Sequence, residues 1–204
     1  MAIRRQVIVI HGGETFNNYK EYLVFLKKRK IDFENYRNPK TGWKKNLSKA
    51  LGKNYEVIQP DMPNDFNSKY LEWKIWFEKF VPYFKGELIL IGHSLGGVFL
   101  AKYLAQNEIP KKIRATFLVA APYDDKNSEY RFAGFRLPEN LEKFEYQGGK
   151  IFIYHSEDDP IVPFTDFKKY KKTLKSATLR VFKNRGHFIN RENFPEIIRD
   201  IKSL

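Results

Sequence analysis

A serine hydroxyl attacks a carbonyl only when it is held in place and a base takes its proton. One serine in this chain stands in a setting that meets the first requirement. Ile89-Leu90-Ile91 is an apolar run, Gly92-His93-Ser94-Leu95-Gly96 has the pattern G-x-S-x-G, and a small, apolar stretch follows from Leu95 to Gln106. Glycines two positions either side of Ser94 let a strand and the helix after it approach without collision. A tight turn of this kind puts the hydroxyl at the carboxyl edge of a sheet, on strained backbone. The helix N-terminus behind it favours negative charge on the reacting oxygen. A glycine-rich turn without chemistry has the same composition, and the strand before and helix after are what favour a nucleophile here.

The base must come from four histidines: His11, His93, His155 and His187. All four lie near the ends of strand-like runs, so edge placement does not choose among them. Serine hydrolases built on a strand–serine–helix turn run in the order serine, acid, histidine. Only His155 and His187 follow Ser94. His155 would leave Asp124 or Asp125 as the acid. His187, in Asn184-Arg185-Gly186-His187-Phe188, leaves Asp158 and Asp159, directly after a strand-like run. His187 is therefore the expected general base. A carboxylate on its second nitrogen would set the tautomer and stabilise the imidazolium.

The acid segment reads Glu157-Asp158-Asp159-Pro160. Glu157 reads as a solvated turn residue. Adjacent side chains in extended backbone point opposite ways, so one of the two aspartates should meet His187. Pro160 disfavours the helical region for Asp159 and stiffens the exit from the turn. Asp159 is the expected acid, and Asp158 should face solvent or bond locally within the turn.

The tetrahedral intermediate of acyl transfer needs donors for its oxyanion. The amide of Leu95 is one. The other should come from Ile10-His11-Gly12-Gly13-Glu14-Thr15-Phe16, with Gly13 preferred because glycine permits close backbone approach, and Glu14 or Thr15 as alternatives. The dinucleotide pattern G-x-G-x-x-G is absent from this loop.

These residues need a sheet to bring their loops together. Strand candidates are Gln6–Ile10, Tyr55–Gln59, Glu87–Ile91, Ala115–Ala120, Ile151–Tyr154 and Thr178–Phe182. Unbroken apolar runs indicate strands buried on both faces. Helix candidates lie between them. Asn67 to Phe84 carries Tyr70, Trp73, Phe77 and Phe80 at helical spacing, and Leu95 to Gln106, Thr165 to Leu174 and Phe194 to Leu204 complete the set. The alternation predicts a single α/β domain over 1–204, a three-layer αβα sandwich on a mostly parallel sheet of about six strands. The segment 17–54 exceeds one crossover helix and has a turn at 38–42. It predicts a helix on either side, covering a sheet face or leaning over the site.

Composition bounds the rest. The chain has 204 residues, 42% hydrophobic and 16% aromatic, which excludes disorder as a description. It has no cysteine, which excludes disulfides and thiolate metal sites and fits a cytoplasmic protein. No apolar run reaches the roughly 20 residues of a membrane helix. The net charge of +13 concentrates in 20–53 and 168–185. It allows weak, salt-sensitive polyanion association, but no nucleic-acid motif accompanies it.

On Gly92-His93-Ser94 with Gly96, Asp158-Asp159-Pro160, Gly186-His187-Phe188 and Asp61-Met62-Pro63, the chain resembles the α/β-hydrolase superfamily over nearly its whole length. More narrowly, it resembles the small serine hydrolases of the retinoblastoma-binding-protein-nine and YdeN-like group. The resemblance implies a compact α/β-hydrolase fold and a Ser94–His187–Asp159 triad, with the aspartate before the proline as acid. It implies hydrolysis of small esters or related acyl compounds, without cofactor or metal. A large cap has no room outside 17–54, so the expected partner is a small-molecule ester, with no specific nucleic acid and no membrane, on a monomer or small homo-oligomer. The competing readings are a non-catalytic binding protein on the same scaffold, and an amidase or peptidase using the same triad.

Overall fold

Val7 and Val9 point to one face of the first strand, Ile8 and Ile10 to the other, and all four are buried. The runs 88–93, 113–119 and 151–156 largely repeat this two-sided burial, so helices must cover both faces of the sheet. The computed structural model describes residues 5–38, 42–125, 132–189 and 191–204. Its strands are β1 (Arg5–Ile10), β2 (Tyr55–Ile58), β3 (Leu88–His93), β4 (Ile113–Val119), β5 (Lys150–Ser156) and β6 (Thr178–Phe182). They form one sheet in the order β2-β1-β3-β4-β5-β6, every neighbouring pair parallel. The predicted strands agree with these to within two residues at each end. The α/β sandwich expected from the sequence is the observed fold.

The helices are α1 (Tyr19–Lys28), α2 (Phe33–Arg37), α3 (Trp43–Leu51), α4 (Tyr70–Phe80), α5 (Leu95–Gln106), α6 (Glu142–Gln147), α7 (Phe164–Thr173) and α8 (Pro195–Lys202). On one face, α3 and α8 pack Trp43, Leu47, Leu51, Ile197 and Ile201 against Val7, Ile89 and Phe117. On the other, α4 to α7 contribute Trp73, Phe77, Phe99, Phe144 and Tyr170. Short 3-10 turns at 65–67 and 81–83 flank α4, which is why its predicted span was longer than the helix itself.

The segment 17–54 divides. Its last part, α3, buries Trp43, Leu47 and Leu51. Its first part, α1 and α2, buries no residue at all. The turn predicted at 38–42 falls largely outside the described residues. α6 is an addition to the predicted elements; at six residues it is too short to show a helical period. No helix among the described residues is long and apolar enough to cross a membrane.

The strand order reverses direction between β1 and β3. Loops leaving the carboxyl ends of these neighbours diverge to opposite sides and leave a crevice, the usual ligand position in open α/β sheets. The loops after β1, β3, β5 and β6 all open onto this edge. They carry Gly12-Gly13, Ser94, Asp159 and His187.

Candidate active site

Ser94 joins β3 to α5 with φ 54° and ψ −124°, in the left-handed region that a non-glycine residue seldom occupies. The turn is compressed because α5 leaves the strand at once. A methyl group on Gly96 would overlap the carbonyl oxygens of Ile10 and His11. Ser94 occupies the N-cap position of α5, yet its hydroxyl caps no amide. The Oγ is therefore not committed to the helix. Leu95 begins α5, so its amide is one of the donors that a helix leaves without an intrahelical acceptor.

Asp159 ends the turn after β5. Its Oδ1 accepts the amides of Ile161 (2.8 Å) and Val162 (3.0 Å), and its side chain is fully buried. Its Oδ2 lies 2.8 Å from His187 Nδ1. Burial alone would push this carboxyl up. The hydrogen bond and charge of His187, with the two backbone amides, outweigh burial and hold it below the ordinary carboxylate range. An ionised carboxylate on Nδ1 requires that nitrogen to carry a proton, which leaves Nε2 as the basic nitrogen.

Asp158 points the other way, as adjacent residues in an extended turn must. Its Oδ1 accepts from Ser156 Oγ (2.5 Å) and from the amide of Gly186 (2.9 Å). The second bond reaches past the local turn to the loop that holds His187. Glu157 is exposed, as expected of a solvated turn residue.

The remaining histidines support the loops. His155 is buried, its Nε2 donating to Val162 O (3.0 Å), and burial lowers its pKa. His93, inside the Ser94 turn, is fully buried and its pKa is driven well below normal by that burial. Its Nε2 is 2.8 Å from the carbonyl of His187 and its Nδ1 is 3.3 Å from Lys44 Nζ. A carbonyl accepts and an ammonium donates, so neutral His93 carries its proton on Nε2. His11 Nε2 accepts the amide of Met62 (2.8 Å), which puts its proton on Nδ1, and Nδ1 donates to Gly12 O (2.6 Å).

This last bond aims the first loop. The Gly12 carbonyl and the Gly13 amide belong to one planar trans peptide and point in opposite directions. Anchoring the carbonyl on His11 therefore fixes the direction of the Gly13 N–H. Of the two alternatives weighed beside Gly13, Glu14 has its amide engaged by Asp65 O (2.7 Å). Thr15 is buried. Gly12, a residue that sequence reasoning passed over, packs directly against the serine. A methyl group there would stand 3.0 Å from Ser94 Cβ.

Sequence reasoning also missed the grip of α3 on the histidine loop. Trp43 Nε1 donates to Phe188 O (2.9 Å), the Trp43 amide to Arg191 O (2.7 Å) and Asn46 Nδ2 to Glu192 O (2.9 Å). No sequence signal pairs positions this far apart. These parts enclose a cleft of about 460 Å³ lined by Gly12, Gly13, Glu14, Lys44, His93, Ser94, Ile161 and His187, among others. Its volume suits a small molecule.

Known proteins share this fold. YdeN of Bacillus subtilis (strain 168) is 22% identical over 198 residues, covering 95% of this chain and 90% of its own. The crystal structure of that protein superposes with a TM-score of 0.70 at 19% identity, covering 98% of this chain and 97% of the other. The meta-cleavage product hydrolase CumD of Pseudomonas fluorescens shares the fold at a TM-score of 0.63 and 15% identity, over 98% and 89% of the two chains. The family model described as serine hydrolase matches residues 34–200, which span α3, the Ser94 turn, the acid turn and the histidine loop, and the chain belongs to that serine hydrolase family.

Proposed function

We propose that the protein hydrolyses small carboxylic esters or related acyl compounds through an acyl-enzyme on Ser94. The observation that carries this reading is the His187–Asp159 pair. A fully buried carboxylate holds Nδ1 at 2.8 Å, and the same imidazole lines the cleft that Ser94 lines. In the first step Ser94 Oγ bonds to the substrate carbonyl carbon and its proton passes to His187 Nε2. The carbonyl oxygen becomes an oxyanion facing the amides of Gly13 and Leu95. One such donor is worth about 3–4 kcal/mol in the transition state. Collapse expels the alcohol, which takes the proton from His187. Water then adds to the acyl-enzyme by the same route and releases the acid and Ser94.

Asp159 orients His187 and stabilises its positive charge; it gives up no proton. His11 acts one step back, by holding the Gly12–Gly13 peptide so that the Gly13 amide stays available. Substrates are expected to be small and soluble, in keeping with the size of the cleft. A fluorophosphonate probe should label the wild type on Ser94 alone. Ser94→Ala should abolish labelling and lower ester turnover by about 10⁶. Labelling that persists in Ser94→Ala would refute the assignment.

A further inference from the structure

Lys44 has no role in the scheme above, yet it shares the cleft with it. It sits in the first turn of α3 and lines the cleft together with Ser94, His93 and His187. Its ammonium is one imidazole away from the His187 loop, 3.3 Å from the ring whose other nitrogen bonds His187 O. An ammonium withdrawn from water normally recovers its solvation from a carboxylate. Among the described residues Lys44 has no ion pair, and its one side-chain hydrogen bond is to the neutral His93. Burial, with no acid to oppose it, lowers its pKa to about 8, so at neutral pH it remains mostly charged.

The acids that line the same cleft are carried by the loops after β1 and β2. The Glu14 amide donates to the backbone carbonyl of Asp65, and both Arg29, seated over the Phe66 ring at 4.6 Å, and His187 face the Glu14 carboxyl. Glu14, Asp61 and Asp65 thus line the wall formed by the loops after β1 and β2. Among the described residues none of the three pairs with Lys44, whose ammonium stands beside His93 without a counter-ion. A charge left unpaired beside a nucleophile is satisfied by whatever enters the cleft.

We propose that Lys44 makes this site selective for esters that carry a carboxylate close to the scissile bond, the substrate supplying the anion that the protein withholds. The inference rests on the reading of Ser94 as nucleophile. The charge of +13 on the whole chain would draw anions toward the molecule. Lys44 is the group that would convert that general attraction into selection.

The test separates binding from turnover. Half-ethyl esters of malonate, succinate and glutarate are compared with ethyl propanoate, butanoate and pentanoate, which carry a methyl group where the half-esters carry the carboxylate. Affinities are measured by calorimetry on Ser94→Ala, which cannot consume them. At least one half-ester should bind about 10- to 100-fold more tightly than its neutral counterpart, the range of one charge-assisted hydrogen bond. Lys44→Met in the same background, with folding checked by thermal melting, should erase that preference. Lys44→Gln keeps a donor for His93 and should erase it too, which distinguishes ligand pairing from support of His93. Equal affinities, no binding by either series, or a preference that survives both substitutions would overturn the proposal. Failure of the hydrolase reading shows separately, as fluorophosphonate labelling that does not depend on Ser94.

Discussion

Gly92, Gly96 and Gly97 shape the Ser94 turn by what they lack, whereas the His187 loop is shaped by what distant residues supply. In the turn, added methyl groups would strike the main chain of Gly96 and Gly97, of Ile10 and His11, or the side chain of Ala121. The turn is pressed into place by backbone on both sides. The His187 loop has no such compression. At Gly186 nothing lies within 4 Å of an added Cβ. That loop is tied by hydrogen bonds instead: Trp43 to Phe188, His93 to His187, Asp158 to Gly186 and Ser156 to Arg185. Both Gly186 (φ 52°) and Phe188 (φ 57°) are left-handed, so the histidine stands between two bends that those bonds must hold. A pressed turn tolerates no added bulk. A tied loop does not tolerate the loss of a donor or acceptor.

The largest effect should follow from breaking the bond that orients the base. Asp159→Asn preserves shape but favours the wrong histidine tautomer, and turnover should fall by up to about 10⁴ with the melting temperature little changed. Steady-state kinetics and a thermal melt decide it, and near-wild-type turnover would remove Asp159 from the triad. Next, Gly96→Ala drives a methyl group into the carbonyls of Ile10 and His11, against main chain that cannot yield. It should cost about 3 kcal/mol or more of stability, read as a denaturant midpoint. A wild-type midpoint would show that the turn is not under compression.

Trp43→Phe tests the other half of the comparison. It removes the donor to Phe188 O while keeping an aromatic ring in the core, and should cost about 1–2 kcal/mol of stability. Turnover should fall by roughly tenfold as His187 loses its setting. Turnover equal to wild type would mean that α3 covers the sheet without steadying the site. The smallest effect should come from Asp158→Asn. The amide oxygen still accepts from Gly186, so turnover should stay within about threefold of wild type. A large loss there, with Asp159→Asn nearly active, would exchange the roles of the two aspartates.

The same contrast explains what could be read in advance. G-x-S-x-G after an apolar run is a local signature, because strand, turn and helix are consecutive and the glycine requirement is written at fixed offsets. The strands were legible because burial on both faces leaves unbroken Val, Ile and Leu, as in 88–91. Asp159 was legible because Pro160 constrains the residue before it, and alternation in extended backbone then turns Asp158 the other way. α6 was missed because six residues do not complete two helical turns.

Residue types and their offsets along the chain alone determined the fold class, the serine turn and the candidates for base and acid, since each depends on neighbours in sequence. Tertiary structure decided which glycine meets the serine, that Glu14's amide is already spent on Asp65, and that His11 orients the Gly13 amide. It also decided that 17–54 splits into an exposed pair of helices and a third that grips the histidine loop, and it placed the Lys44 ammonium beside His93. The physical reason is separation. Residues 43 and 188 meet only because parallel strands bring the loops after them to one edge of the sheet. No pattern along the chain records which side chain will find its partner there.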